Sequence, residues 1–224
     1  MQYRHEWKHE INYLDYLVIA QRLRAVMQPD AHAKDGMYLI TSLYFDNLED
    51  KALREKVDGV NMREKFRIRY YNHDPSFISL EKKSKVNNLC AKESAWITKE
   101  EVERIIEGDI GFLEEDPARP LLRELYIKMK GLGIRPKTIV EYDREPYVYA
   151  PGNVRVTFDS NIRTGLAATD MFRTGVVTIP AGDAPTILEV KWDAYLPEII
   201  RDIVRVKGRR ASAFSKYAAC RVYG

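Results

Sequence analysis

The sequence predicts an α+β fold in which a closed antiparallel β-barrel of about eight strands carries its helices on the outside. Three observations lead there. Segments rich in Tyr, Val, Ile, Phe and Thr alternate with period two along most of the chain. Turn-forming residues join neighbouring segments as hairpins, for example Asn72-His73-Asp74-Pro75 and Pro151-Gly152. Several segments also carry Lys, Arg and Glu on one face and strongly apolar residues on the other. Amphipathic helices need an apolar sheet face to cover. A sheet that turns this face outward brings its charged faces together around a polar lumen.

Taken in order, segment 2–11 sets Arg4, Glu6, Lys8 and Glu10 against Tyr3, His5, Trp7, His9 and Ile11. A helix is predicted over 12–28, capped by Asn12, with Leu14, Leu17, Val18, Gln21, Leu23 and Val26 as its apolar stripe. Strands follow at 37–46, 63–72, 76–86 and 89–97. In the second of these Arg63, Lys65, Arg67 and Arg69 share a face opposite Phe66, Ile68 and Tyr70; in the third, Ser79, Glu81, Lys83 and Lys85 oppose Ile78 and Leu80. Thr98-Lys99-Glu100-Glu101 is a capping box for a helix to Gly108, and a further helix over 120–130 is closed by Gly131 and Gly133. Strands at 136–149, 153–163, 172–179 and 185–193 complete the sheet. Arg155, Thr157 and Asp159 share one face of the second, and Glu189, Lys191 and Asp193 one face of the last. Helices are predicted at 196–206 and 213–221.

The 224 residues contain no repeat, low-complexity tract or linker, so residues 1–224 read as one domain. Lys and Arg number 36 against 33 Asp and Glu, a net charge of +3. That balance argues against a nucleic-acid protein relying on bulk charge; the basic residues must act through placement. Cys90 and Cys220 have no metal-type spacing and make no disulfide framework, which points to a reducing cytoplasm. No apolar run reaches the roughly 20 residues of a membrane span, and the charged N-terminus lacks a signal-peptide core. A membrane-bound partner encoded elsewhere stays open. GxSxG, HExxH, Walker A and GxGxxG patterns are absent.

Eight segments, in order, carry a resemblance: Tyr3-Arg4-His5-Glu6-Trp7-Lys8-His9-Glu10, Thr41-Ser42-Leu43-Tyr44-Phe45-Asp46-Asn47, Phe66-Arg67-Ile68-Arg69-Tyr70-Tyr71, Leu80-Glu81-Lys82-Lys83, Tyr142-Asp143-Arg144, Val154-Arg155-Val156-Thr157-Phe158-Asp159, Leu188-Glu189-Val190-Lys191, and Phe214-Ser215-Lys216-Tyr217. The chain resembles a vacuolar transporter chaperone (VTC) domain, the polyphosphate-polymerase branch of the triphosphate tunnel metalloenzymes, a CYTH-like superfamily. The resemblance implies a short tunnel that binds a triphosphate unit, with Mn²⁺ or Mg²⁺ held by a lumen glutamate. In that branch the γ-phosphate of ATP passes to a growing polyphosphate chain. By motif, Lys8, Arg67, Arg69, Lys83, Arg144, Arg155 and Lys216 grip phosphate, and Lys92, Tyr142, Lys191 and Ser215 are further substrate contacts. Glu189 is the principal metal ligand, with Glu6, Glu10 and Glu81 as alternatives. The inositol-phosphate sensor domain and membrane helices common in family polymerases are not seen in this sequence.

The chemistry agrees with this. Phosphoryl transfer asks a protein mainly for positioning and charge neutralisation. Arginine forks grip phosphate oxygens in pairs and lysine supplies a point charge. Facing cations repel without an anion, so the free lumen is expected to hold counter-carboxylates or bound anions. Three functions remain open: an ATP-dependent polyphosphate polymerase, a triphosphatase acting on tripolyphosphate or a nucleoside triphosphate, and a non-catalytic binding module. The polymerase is favoured by Phe214-Ser215-Lys216 and by a first strand that reads Glu6-Trp7-Lys8-His9-Glu10 rather than Glu-x-Glu-x-Lys.

Overall fold

Alternating side chains do build one continuous antiparallel sheet. The computed structural model describes residues 4–33, 35–86, 89–183, 185–206 and 213–222. The strands are β1 (His5–Ile11), β2 (Gln28–Pro29), β3 (Tyr38–Asp46), β4 (Arg63–Tyr71), β5 (Asp74–Val86), β6 (Leu89–Trp96), β7 (Arg135–Tyr149), β8 (Val154–Thr164), β9 (Ile179–Pro180) and β10 (Thr186–Trp192). The helices are α1 (Tyr13–Arg24), α2 (Lys51–Val57), α3 (Lys99–Glu107), α4 (Pro120–Leu132), α5 (Glu198–Ile203) and α6 (Lys216–Cys220). Eight strands run in the order β1-β10-β8-β7-β3-β4-β5-β6, with β2 added to β7 and β9 to β8.

The sheet curls but does not close, which corrects the predicted barrel. No ladder joins β1 to β6 among the described residues, so they are the two edges of a half-barrel. Long charged side chains face each other across the gap: Glu6 and Lys8 on edge strand β1, Lys92 on edge strand β6 and Lys83 on its neighbour β5. Such side chains keep two edges beyond the roughly 4.8 Å that a backbone ladder requires. The seam is joined by side chains instead.

The convex face is apolar, as predicted, and helices cover it. Val102 and Ile105 of α3 and Leu121, Leu122, Leu125 and Met129 of α4 pack on Leu43, Phe45, Phe66, Ile68 and Leu80. Ile19, Ala20 and Leu23 of α1 and Ile200 of α5 pack on Val154, Val156, Phe158, Leu188 and Val190. A third cluster lies on the opposite face, where Tyr217 and Cys220 of α6 meet Ile40, Val140, Tyr142, Ile162 and Ile187. The last helix therefore sits inside the curl and places Lys216 there.

Local chemistry accounts for several boundaries. Asn12 and Thr98 each form a reciprocal capping box, and Gly133, at φ 67°, ends α4 in the left-handed region. Asn72 and Asn161 take positive φ, the first in the β4–β5 hairpin and the second at a bulge that returns Ile162 and Thr164 to the concave side. At Gly152, φ is 74° and an added Cβ would lie 2.4 Å from the Tyr195 carbonyl oxygen, so no other residue fits that turn.

Other predicted elements are revised. The α1 stripe is rotated: Leu14, Leu17 and Val18 face solvent, while Ile19, Ala20 and Leu23 are buried. The spacing 16-19-20-23-27 follows the helical period equally well, and packing on β8 and β10 selects it. The first helix stops at Arg24, so that Gln28, its predicted end, lies in β2, and segment 172–179 is mostly turns with pairing only from Ile179. Helix α2 was not foreseen. Its orphan N–H groups donate to a residue outside the helix, the Asp46 carboxylate accepting from Ala52 at 2.9 Å and Leu53 at 3.1 Å. Gln2 and Tyr3 of the predicted first strand, and the predicted basic loop Gly208-Arg209-Arg210-Ala211-Ser212, lie outside the described residues.

Candidate active site

Parity sends polar residues of eight strands into the curl. From β4 come Lys65, Arg67 and Arg69 at alternate positions. The Arg67 guanidinium holds the Glu81 carboxylate of β5 at 2.6 and 2.7 Å, and its third nitrogen donates to the Tyr44 hydroxyl at 2.9 Å. Arg69 donates to Ser42 Oγ at 3.1 Å and to the Tyr142 hydroxyl at 3.0 Å, with Glu81 at 3.8 Å. Lys92 of β6 completes this group, 2.5 Å from Glu81. Burial alone would raise the Glu81 pKa, yet Arg67, Arg69 and Lys92 outweigh it and hold the carboxyl well below its usual range.

A second group forms on β7, β8, β10 and α6. Arg144 makes a two-pronged bond to Asp159, at 2.6 and 2.7 Å, and reaches Glu189 at 3.2 Å. Lys216 lies 2.5 Å from the same Asp159 and 4.5 Å above the Tyr142 ring. Burial opposes ionisation of Asp159, but Arg144 and Lys216 bring its pKa down to about 2. Ser215 caps α6 through the Ala218 N–H at 3.3 Å, fixing the helix from which Lys216 projects.

The third group gathers at the seam. Lys191 lies 2.8 Å from Glu189 and 3.6 Å from Glu6, while Lys8 lies 3.8 Å from Glu189 and 3.7 Å from Glu6. The two carboxylates thus share both ammonium groups. Glu189 is held far below the ordinary carboxylate range: burial opposes this, and Lys191, Lys8 and Arg144 overcome it. Lys8 is raised, because Glu189, Glu6 and Asp159 outweigh its burial. Lys83 is lowered, by burial and then by Lys8, despite Glu6.

These groups surround two cavities. One, of about 280 Å³, is lined by Arg67, Arg69, Glu81, Arg144, Arg155 and Glu189 among others. The other, of about 490 Å³, opens toward α2 and is lined by Lys8, Lys56, Arg63, Lys65, Lys85 and Ser215 among others. Arg4, His5, Glu6, Lys83 and Cys90 line both. Of the sequence-chosen residues, Arg155 sits at the rim of the smaller cavity, bound to Asp30 at 2.9 Å and to the Tyr38 hydroxyl. Glu10 stands apart: it is exposed, lines neither cavity and makes no ion pair among the described residues.

Reading the sequence missed the second partners. Asp159 was placed on the charged face but given no role; it is fully buried and anchors two cations. Tyr44, Ser42 and Tyr38 share the lumen parity of β3, and their neutral side chains gave no charge signal.

Residues 3–223 match the VTC domain family. This chain belongs to that family. No curated protein matches it. Among solved structures, the VTC domain is similar to a putative adenylate cyclase from Bacillus halodurans, at 12% identity and TM-score 0.49, covering 85% of this chain and 80% of that one. It is also similar to a protein from Pyrococcus horikoshii OT3, at 14% identity and TM-score 0.43, covering 90% and 85%. A third is the Mimivirus capping enzyme triphosphatase, at 13% identity and TM-score 0.38, covering 86% and 81%. No helix among the described residues of the VTC domain is long and apolar enough to cross a membrane.

Proposed function

We propose that this VTC domain is an ATP-dependent polyphosphate polymerase working by metal-assisted phosphoryl transfer. The observation that carries the proposal is the convergence of Lys8, Arg67, Arg69, Lys83, Arg144 and Lys216 from β1, β4, β5, β7 and α6 on one lumen. Each of them lies beside a carboxylate. In that arrangement the cations are held close to their working positions before substrate arrives.

A triphosphate entering the lumen takes over contacts now made by Glu81 and Glu189. Arg67 and Arg69 lie two apart on β4, so about 7 Å separates them, and neighbouring phosphates can each meet one fork. Arg144 lines the same cavity from the other wall, and Lys216 shares its Asp159 carboxylate. The terminal oxygen of a polyphosphate chain then attacks the γ-phosphorus of ATP. The bond from that phosphorus to the β–γ bridging oxygen breaks, and ADP leaves with the electron pair.

The oxygen donors suit a hard divalent cation. No cluster of three His, Cys, Asp or Glu occurs among the described residues, but Glu6 and Glu189 lie close enough to share Lys8 and Lys191. Mg²⁺ keeps several waters, so two carboxylates suffice, with Lys191 and Lys8 able to turn to phosphate. A cation bound there would neutralise phosphate charge during transfer.

The test is incubation with ATP and Mn²⁺, with products resolved on a polyphosphate gel. Long chains support the polymerase. Free phosphate without chains would make the domain a triphosphatase, and intact ATP would leave a binding module.

A further inference from the structure

Most polar groups of the lumen are satisfied by one another, and two exceptions on β8 are informative. Thr157 on β8 is 3% exposed and lines the smaller cavity, yet its Oγ1 has no hydrogen-bond partner among the described residues. Its neighbours have theirs: Arg144 has Asp159 and Glu189, Arg69 has Ser42 and Tyr142, and Glu81 has Arg67 and Lys92. Two residues back on the same face, Arg155 also has an unpartnered buried atom, its Nε. Cross-strand register sets Thr157 opposite Glu189 and Arg155 opposite Lys191. An orphan hydroxyl and an orphan guanidinium N–H therefore share one wall, opposite the Glu189 carboxylate and the Lys191 ammonium.

Buried polar atoms without partners are rare, because their desolvation is not repaid within the free protein. An apolar β-branched residue would fit this strand position without that cost, since valine has nearly the shape of threonine and high strand propensity. Retention of a hydroxyl in a basic cavity fits a partner that arrives with the ligand. The ligand chemistry is set by the surroundings. Arg155, Lys191 and Arg144 select an anion, and a hydroxyl that can donate, beside a guanidinium N–H that must donate, suits one oxygen-rich group.

We infer that Thr157 is a ligand-binding residue whose hydroxyl donates to a phosphate oxygen of the bound polyanion, with Arg155 Nε donating to the same phosphate. This deepens the phosphoryl-transfer reading and rests on it. It assigns one phosphate subsite to the β8–β10 wall, across the lumen from the Arg67–Arg69 wall.

The experiment is calorimetric titration of tripolyphosphate into the intact chain without divalent cation, for wild type, Thr157→Val, Thr157→Ser and Arg69→Ala. Thr157→Val is expected to bind about tenfold more weakly, the scale of one hydrogen bond to a charged group, and to melt no lower than wild type. Thr157→Ser, which keeps the hydroxyl, is expected to bind within a few-fold of wild type. Should the valine variant fail to fold, Thr157→Ala makes the same comparison. Wild-type affinity in Thr157→Val overturns the inference, and so does equal loss in Thr157→Ser, which would place the effect in packing. Arg69→Ala separates the two levels: if it too binds normally, the lumen is not the anion site and the functional reading fails. If Arg69→Ala loses binding and Thr157→Val does not, only the Thr157 assignment fails.

Discussion

The Lys83 ammonium of β5 lies 3.2 and 3.4 Å from the two carboxylate oxygens of Glu6 on β1, and so bridges the open seam of the sheet. Among the described residues no ladder joins the edge strands β1 and β6, so charge pairing spans the gap. Glu6 also faces Lys8 and Lys191. Glu6→Gln would take the carboxylate from Lys83 and leave Lys8 and Lys191 with Glu189 as their remaining ion-pair partner among the described residues. The variant is expected to melt lower and, without divalent cation, to bind tripolyphosphate more tightly, because a competing carboxylate charge is gone. Scanning calorimetry and anion titration read both effects. Unchanged values would reduce the bridge to an ordinary surface ion pair.

Glu189 offers the sharper test of metal use. It is 4% exposed and is gripped by Arg144, Lys191 and, more loosely, Lys8. Glu189→Gln keeps the shape and removes the charge. Turnover of ATP is expected to fall by orders of magnitude, while metal-free tripolyphosphate binding survives. Near-normal turnover would transfer the metal role to Glu6 or Glu81.

Tyr44 and Lys65 give the domain a pH dependence near neutrality. Burial would raise the Tyr44 pKa, but Arg67, Lys65 and Arg69 bring it down from 10.0 to about 7. Lys65 falls from 10.5 to about 7 through burial and the nearby Lys83, Arg67 and Lys8, against the pull of Tyr44. Both folded values lie below the unfolded ones, so between about pH 7 and 10 the unfolded chain binds more protons. Stability should therefore rise with pH across that window. Urea unfolding from pH 7 to 9.5 should show this slope, and the double variant Tyr44→Phe, Lys65→Met should flatten it. A slope that persists in the double variant would assign it to other groups.

Arg69 shows where the sequence was legible and where it stopped. Its place in the lumen followed from parity with Arg67 on one strand, and parity survives small errors in strand ends. Its partners did not follow, because Ser42 and Tyr142 come from strands 27 and 73 residues away in sequence. From sequence, removing one cation from a crowded basic cavity is expected to leave stability unchanged or higher. The structure gives a lumen of paired charges, so Arg69→Ala strips partners from two buried hydroxyls. It should cost about 1–3 kcal/mol in urea unfolding as well as weakening tripolyphosphate binding. The same limit explains the seam and α1. Alternation sets which face a residue takes, but neither ring closure nor the choice between two helical stripes is written in local periodicity.

Asp159 joins the C-terminal helix to the sheet, and that makes it the most exacting position in the site. It has no exposed surface, takes both prongs of Arg144, and receives Lys216 from α6. Asp159→Asn leaves a buried guanidinium and a buried ammonium facing a neutral amide, and breaking a buried pair in this way costs on the order of 3–5 kcal/mol. The acid limb of the stability curve carries a second signature. The folded Asp159 pKa of about 2 lies below its ordinary 3.8, so its contribution is complete above about pH 4 and fades as pH falls toward 2. Wild type should lose stability steeply over that range, while Asp159→Asn starts lower and falls less, the difference between them narrowing with acid. Lys216 should also lose its anchor, so tripolyphosphate affinity should drop together with stability. Urea unfolding between pH 2 and 6, paired with anion titration at pH 7, measures both. A variant as stable as wild type at pH 6 would show that Arg144 and Lys216 are held in place without Asp159.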